Sequence, residues 1–164
     1  MAPSNQEIKS VLFVCTGNTC RSPMAEGLLK AAMADNKSVK VRSAGVAAMP
    51  GQRASRETQA VLKQQGAKLK KFKSRQVDKD VIAEADLIIP MTKSHEDILV
   101  HHFSEREDDI RMMTNFIDTD QHMEGEDIPD PIGMGAAAYE EVAEVMKLAI
   151  KGITQLIEST PRQL

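Results

Sequence analysis

Apolar positions along the chain come as short runs and as stretches of helical period, in alternation. Lys9 to Val14 carries the run Val-Leu-Phe-Val and reads as a buried strand. Ser22 to about Ala34 reads as a helix, with Met24, Ala25, Leu28, Leu29, Ala32 and Met33 at helical spacing. Val39 to Ser43 alternates like a short strand. Ser55 caps a helix running to about Gln65, with Thr58, Val61 and Leu62 inward and Gly66 as the stop. Asp78 caps a short helix to Ala85, and Asp86 to Met91 is a second apolar strand. Thr92 to Phe103 is a helix, Asp109 to Thr114 a candidate fourth strand, and Asn115 to Pro131 a long acidic loop. Gly135 to about Ser159 is the last helix, with one apolar face from Tyr139 to Leu156. Strands alternating with helices imply a parallel sheet with right-handed crossovers. The expected fold is an α/β three-layer sandwich on four parallel strands.

Composition narrows the picture. The 164 residues suit one domain, 1–164, with 1–8 as a frayed tail. A formal net charge of -3 offers no basic excess for nucleic acid, and the 3% aromatic content offers few stacking platforms. No apolar run approaches the roughly 18 residues of a membrane span, and the N-terminus lacks the apolar core of a signal peptide. The two cysteines, Cys15 and Cys20, are too close in sequence to staple a fold. Free thiols point to a reducing, cytoplasmic setting. His95, His101, His102 and His122 show no metal-ligand spacing, and adjacent His101 and His102 should point apart on a helix, so all four are read as surface residues. No metal or cofactor is expected. Lys68 to Lys73 reads as a solvated basic patch, able also to steer an acidic phosphoprotein.

The chemistry concentrates where the first strand ends. Cys15 stands there, followed by Thr16, Gly17, Asn18, Thr19 and Cys20, then Arg21 and Ser22-Pro23 at a helix start. Gly and Asn accept unusual backbone angles, Ser can cap, and Pro is preset for the first turn. Such a loop presents backbone N–H groups and the positive end of a helix dipole to a tetrahedral oxyanion. The same field favours a thiolate at Cys15, and Arg21 adds a bidentate fork. The parts fit in-line attack on phosphorus by Cys15, with Ser22 donating to the sulfur. A general acid is also required, and Asp130, stiffened by Pro129 and Pro131, is the first candidate, with Asp127 behind it. The chain has no Gly-x4-Gly-Lys-Ser/Thr and no Gly-x-Gly-x-x-Gly loop.

The segment Cys15 to Glu26, with Asp130-Pro131 far downstream, resembles the low-molecular-weight protein tyrosine phosphatase family. Arg42 to Gly45, Arg75-Gln76, Ala85 to Ile89 and Met91-Thr92 match in order, so the resemblance covers nearly the whole chain. It implies a hydrolase that works through a phosphocysteine on a phosphorylated protein. It makes Cys15 the nucleophile, Arg21 the phosphate clamp and Asp130 the general acid, and it ties Asn18 to Ser43 as loop support. It also implies a reversible Cys15–Cys20 disulfide under oxidation. A monomer is expected, with a weak dimer as the alternative.

Two positions bear on the substrate. Phosphotyrosine members usually carry Ile or Leu where this chain has Thr19, and Thr resembles the bacterial protein arginine phosphatase branch. A hydroxyl there suits a planar, polar guanidinium better than a phenol, so the reading leans to phosphoarginine, with phosphotyrosine as the alternative. The aromatic residue usual after Asp-Pro is replaced by Ile132. Phe72 stands where many tyrosine phosphatases have a His that supports the Ser22 position. Two rivals share the loop. A thioredoxin-linked arsenate reductase of the same fold needs relay cysteines beyond Cys15 and Cys20. A non-catalytic phosphate-binding module has no need of Cys15, Arg21 and Asp130 together.

Overall fold

Three parallel strands, β1 (Ser10–Cys15), β2 (Lys40–Gly45) and β3 (Leu87–Pro90), pair in the order β2-β1-β3 in the computed structural model, which describes residues 6–160. Their register aligns Phe13 with Ser43 on one side and with Ile89 on the other. The helices are α1 (Arg21–Ala32), α2 (Arg56–Gln64), α3 (Lys79–Ala83), α4 (Lys93–His102) and α5 (Ala136–Ser159). Alternate residues of β1 serve opposite faces. Val11, Phe13 and Cys15 join the cluster under α1 and α5, whereas Leu12 and Val14 join Val81, Ile82 and Leu99 under α3 and α4. Burial on both faces explains why the strand reads as an unbroken apolar run. The expected caps form: Ser55, Asp78 and Thr92 accept from the N–H groups of Thr58, Val81 and His95.

Four expectations change. The fourth strand is reduced to one bridge between Ile88 and Ile110, because the chain leaves the sheet edge at once into a 3-10 turn, Met113–Phe116. That turn packs on α5, where a Cβ on Gly152 would overlap the Phe116 carbonyl. Helix α1 begins at Arg21 with Cys20 in the cap position, so Ser22 lies inside the first turn and its hydroxyl goes elsewhere. Its predicted inward face holds through Met33 apart from Ala32, which is exposed. Finally, order begins before residue 9: Ile8 packs against the first cluster, and the Lys9 and Ser10 N–H groups both donate to Asp86. Residues 1–5 of the expected tail lie outside the described residues. No described helix is long and apolar enough to cross a membrane.

Candidate active site

Strand β1 delivers Cys15 to the C-terminal edge of the sheet, buried at 3% exposure. Its Sγ lies 2.9 Å from the Ser22 hydroxyl. Asn18 locks the loop between them. It is fully buried and left-handed (φ 56°), and its Nδ2 donates to Ser22 Oγ and to Ser43 Oγ, each at 2.9 Å. Its Oδ1 accepts the Arg75 N–H at 2.9 Å. Arg75 Nε in turn donates to the Ser43 carbonyl at 3.2 Å. The support for Ser22 therefore comes from Asn18, and Phe72 is not needed for it. Gly45, at the end of β2, lets that strand approach the loop, because a Cβ there would overlap the Thr16 carbonyl.

The loop carbonyls bond outward. Those of Cys15, Thr16 and Thr19 accept from Val46, Ala47 and Ser55 at 2.9, 2.9 and 2.8 Å, and that of Cys20 accepts from Met24 at 3.2 Å. In a trans peptide unit the N–H points opposite to its carbonyl. The amides of Thr16, Gly17, Cys20 and Arg21 are thus turned away from those donors, the direction an oxyanion cradle requires. Arg21 is 6% exposed; its Nη1 donates to the Ile128 carbonyl at 3.1 Å, and its Nη2 lies 3.5 Å from Asp130 Oδ2. The Asp130 side chain is half exposed, and its Oδ1 accepts the Ile132 N–H at 3.1 Å. Ile128 is fully buried, and its N–H bonds the Met91 carbonyl at 2.8 Å, which anchors the loop that carries Asp130. Asp127 is used otherwise: it accepts the Lys93 N–H at 2.7 Å, at the start of α4.

The remaining predicted residues lie around this centre. Thr19 is half-buried, with its hydroxyl 3.7 Å from Cys20 Sγ. Cys20 is buried, and its sulfur lies 3.3 Å from the Tyr139 hydroxyl at the first turn of α5. Burial, then the Cys20 contact, pushes the Tyr139 hydroxyl up to about 12, so it stays protonated. Both cysteines are free thiols. Ile132 is 61% exposed at the rim beside Asp130.

His95 is the residue the sequence reading misplaced. It is buried at 4% exposure, and its Nε2 lies 2.8 Å from Thr16 Oγ1. Burial first, and the nearby Arg21 charge second, lower its pKa to about 4 against the opposing pull of Asp127 and Asp130. The imidazole is therefore neutral near pH 7. Its Nδ1 is buried without a partner, and a bare ring nitrogen is the less costly orphan, which leaves Nε2–H to donate to Thr16. One signal for it was present: a His in the first turn of the helix that follows β3 lies on the ligand-binding side of a parallel sheet. His101 and His102, by contrast, are exposed, and their rings meet edge-on at 5.1 Å rather than pointing apart.

A thiol, an arginine and a helix start meet at the end of a central parallel strand of an α/β fold, an arrangement chemically able to hold an oxyanion. The chain belongs to the low molecular weight phosphotyrosine protein phosphatase family, whose model matches residues 10–163. It is 36% identical over 153 residues to a protein-arginine-phosphatase of Geobacillus stearothermophilus, covering 91% of this chain and 96% of that protein. Its fold is similar to a YwlE arginine phosphatase, a cysteine-to-serine mutant with a phosphorylated active site serine (TM-score 0.83, 28% identity, 92% and 96% covered). It is also similar to the low molecular weight protein tyrosine phosphatase of T. tengcongensis (TM-score 0.81, 38% identity, 90% and 98% covered).

Proposed function

We propose that the chain is one phosphatase domain that hydrolyses phosphorylated protein through a phosphocysteine at Cys15, with phosphoarginine as the preferred substrate. The observation that carries the reaction is the 2.9 Å contact between Cys15 Sγ and Ser22 Oγ, beside a buried Arg21 that also meets Asp130. Ser22 donates to the thiolate and steadies it as nucleophile and later as leaving group. The inward amides and Arg21 hold the three equatorial oxygens as charge develops on them. Asp130 gives a proton to the departing nitrogen or oxygen, then takes one from the water that releases phosphate. Asp127 is committed to the start of α4, which favours Asp130 for this role. The site as read needs no group from a second copy, which suits a monomer, with a weak dimer as the alternative. Two buried free thiols suit a cytoplasmic setting, and a Cys15–Cys20 disulfide would close the site under oxidation.

For the substrate, the support is Thr19 together with the similarity to protein-arginine-phosphatases of Geobacillus stearothermophilus and Bacillus subtilis. Phosphotyrosine stays as the second reading because the rim beside Asp130 is apolar: Ile132 and Met134 are 61% and 71% exposed. Hydrolysis of p-nitrophenyl phosphate, abolished in Cys15→Ser, tests the reaction. Phosphoarginine and phosphotyrosine peptides compared in wild type and Thr19→Ile test the substrate. The expected result is a preference for phosphoarginine that Thr19→Ile shifts about tenfold or more towards phosphotyrosine. An unchanged preference would remove Thr19 from the account.

A further inference from the structure

The most basic part of the chain is a cleft that the reaction does not use. Gln52 to Lys73 contains seven Lys or Arg residues against the single carboxylate of Glu57, in a chain whose formal net charge is -3. Part of this segment encloses a cleft of about 750 Å³ between α2 and the loop after it. Arg53, Lys63, Lys68 and Lys71 line it, and no carboxylate does. Among the described residues, none of the four takes part in an ion pair. Lys71 is held in the left-handed region (φ 53°), uncommon for a residue with a side chain. The floor is apolar: Leu62 is buried at 1% exposure, and Leu69 and Phe72 are half-buried. One end of the cleft, Arg53-Ala54, adjoins Ser55, whose N–H bonds the Thr19 carbonyl of the phosphate loop at 2.8 Å.

We propose that this cleft docks an acidic segment of the protein substrate, flanking the phosphorylated residue while that residue occupies the Cys15 loop. The proposal rests on the phosphatase reading above. Four unpaired cations over an apolar floor match a peptide with several carboxylates and an apolar side chain or two. They match nucleic acid less well, because Phe72 is the one aromatic ring lining the cleft and the rest of the chain is acidic overall. Unpaired cations at a rim act chiefly on encounter and on KM, with a strong dependence on salt.

The test compares two peptides that share a phosphorylated residue and length, one with Asp and Glu flanks and one with Gln and Ser flanks. Both are assayed with wild type, Lys68→Gln/Lys71→Gln and Lys63→Glu/Lys68→Glu, alongside p-nitrophenyl phosphate. Wild type should favour the acidic peptide about five- to twenty-fold in kcat/KM at low salt, mainly through KM, and lose that preference near 0.5 M salt. Both variants should lose it too, with turnover of p-nitrophenyl phosphate unchanged. Equal kcat/KM for the two peptides in wild type, or a loss shared by p-nitrophenyl phosphate, would overturn the proposal. So would a single-stranded oligonucleotide that binds wild type more tightly than the unphosphorylated acidic peptide does at the same salt, with the variants weakening it equally. Should wild type fail to hydrolyse p-nitrophenyl phosphate, the phosphatase reading fails, while anisotropy of the labelled acidic peptide with wild type and variants still tests the cleft. Binding there that the variants do not weaken overturns the docking site itself.

Discussion

Asn18 shows how much a single side chain can organise. One amide joins three segments distant in sequence: Ser22 in α1, Ser43 in β2 and the Arg75 backbone. It does so from a left-handed conformation that Asn tolerates better than most residues. His95 does comparable work from the other side of the loop, and its buried state has a measurable consequence. Its folded pKa of about 4 lies below the ordinary 6.5, so the unfolded chain takes up a proton that the folded chain refuses. Stability must therefore fall as pH drops through the window from about 6.5 to about 4, by up to about 1.4 kcal/mol per pH unit. Urea unfolding at pH 7 and pH 5 measures it. The loss between the two should be about 1–2 kcal/mol larger in wild type than in His95→Asn. An identical loss would mean that His95 titrates normally in the folded protein.

At the scale of elements, helix ends and strand ends carry the site, and close backbone approaches set where they meet. Gly27 and Gly152 look alike in sequence, each a glycine inside a helix. The nearest atoms to a Cβ on Gly27 belong to the Leu62 side chain, both methyls at 2.8 Å, and a side chain can shift by a few tenths of an ångström where backbone cannot. A Cβ on Gly152 would run into the backbone carbonyl of Phe116, which cannot move without displacing the turn Met113–Phe116. Gly27→Ala should therefore change stability by no more than about 1 kcal/mol, since the helix gains from Ala part of what the repacking costs. Gly152→Ala should destabilise by about 2 kcal/mol or more. Chemical unfolding of the two variants checks the contrast, and equal effects would contradict it. The same contact bears on why the expected fourth strand is missing. Asp109 to Thr114 is a candidate strand in the sequence, yet only Ile110 bridges to the sheet before the chain turns to meet α5. Apolar residues such as Ile110, Met112 and Met113 mark a segment that is buried, and they do not mark which neighbour it packs on.

At the scale of the molecule, β1 links two apolar clusters that lie on opposite faces of the sheet. Leu12 and Phe13 are adjacent and nearly or wholly buried, yet they belong to different clusters. Unfolding should accordingly be one transition, with Leu12→Ala and Phe13→Ala each costing about 3 kcal/mol or more. Tyr139 is the chain's sole Tyr and no Trp is present, so its fluorescence reports the α5 side while circular dichroism reports the whole. The two denaturation curves should coincide, and separate midpoints would show that the faces melt independently. The same division explains what was legible in the sequence. Local signals sufficed for the caps at Ser55, Asp78 and Thr92 and for the loop from Cys15 to Ser22, because neighbours in sequence make those contacts. For His95 the sequence offered only its place in the first turn after β3, because its partner, Thr16, is 79 positions away. Gly152 was illegible because its neighbour is a backbone carbonyl on a distant turn. In the sequence Asp130 ranks ahead of Asp127 through its flanking prolines, whereas the structure separates them by contact: the Lys93 N–H bonds Asp127, and Arg21 meets Asp130.

The central claim is that phosphate leaves its substrate through Cys15. The most direct measurement is rapid acid-free quenching of Asp130→Ala during turnover of p-nitrophenyl phosphate, followed by mass spectrometry of the peptide that contains Cys15. An aryl leaving group needs little help from an acid, whereas release of the phosphoenzyme needs Asp130 as base, so the intermediate should accumulate. The expectation is one phosphoryl group on Cys15 of this variant and none on the matching peptide of Cys15→Ala/Asp130→Ala. Phosphate on another residue, or turnover that survives Cys15→Ser, would contradict it.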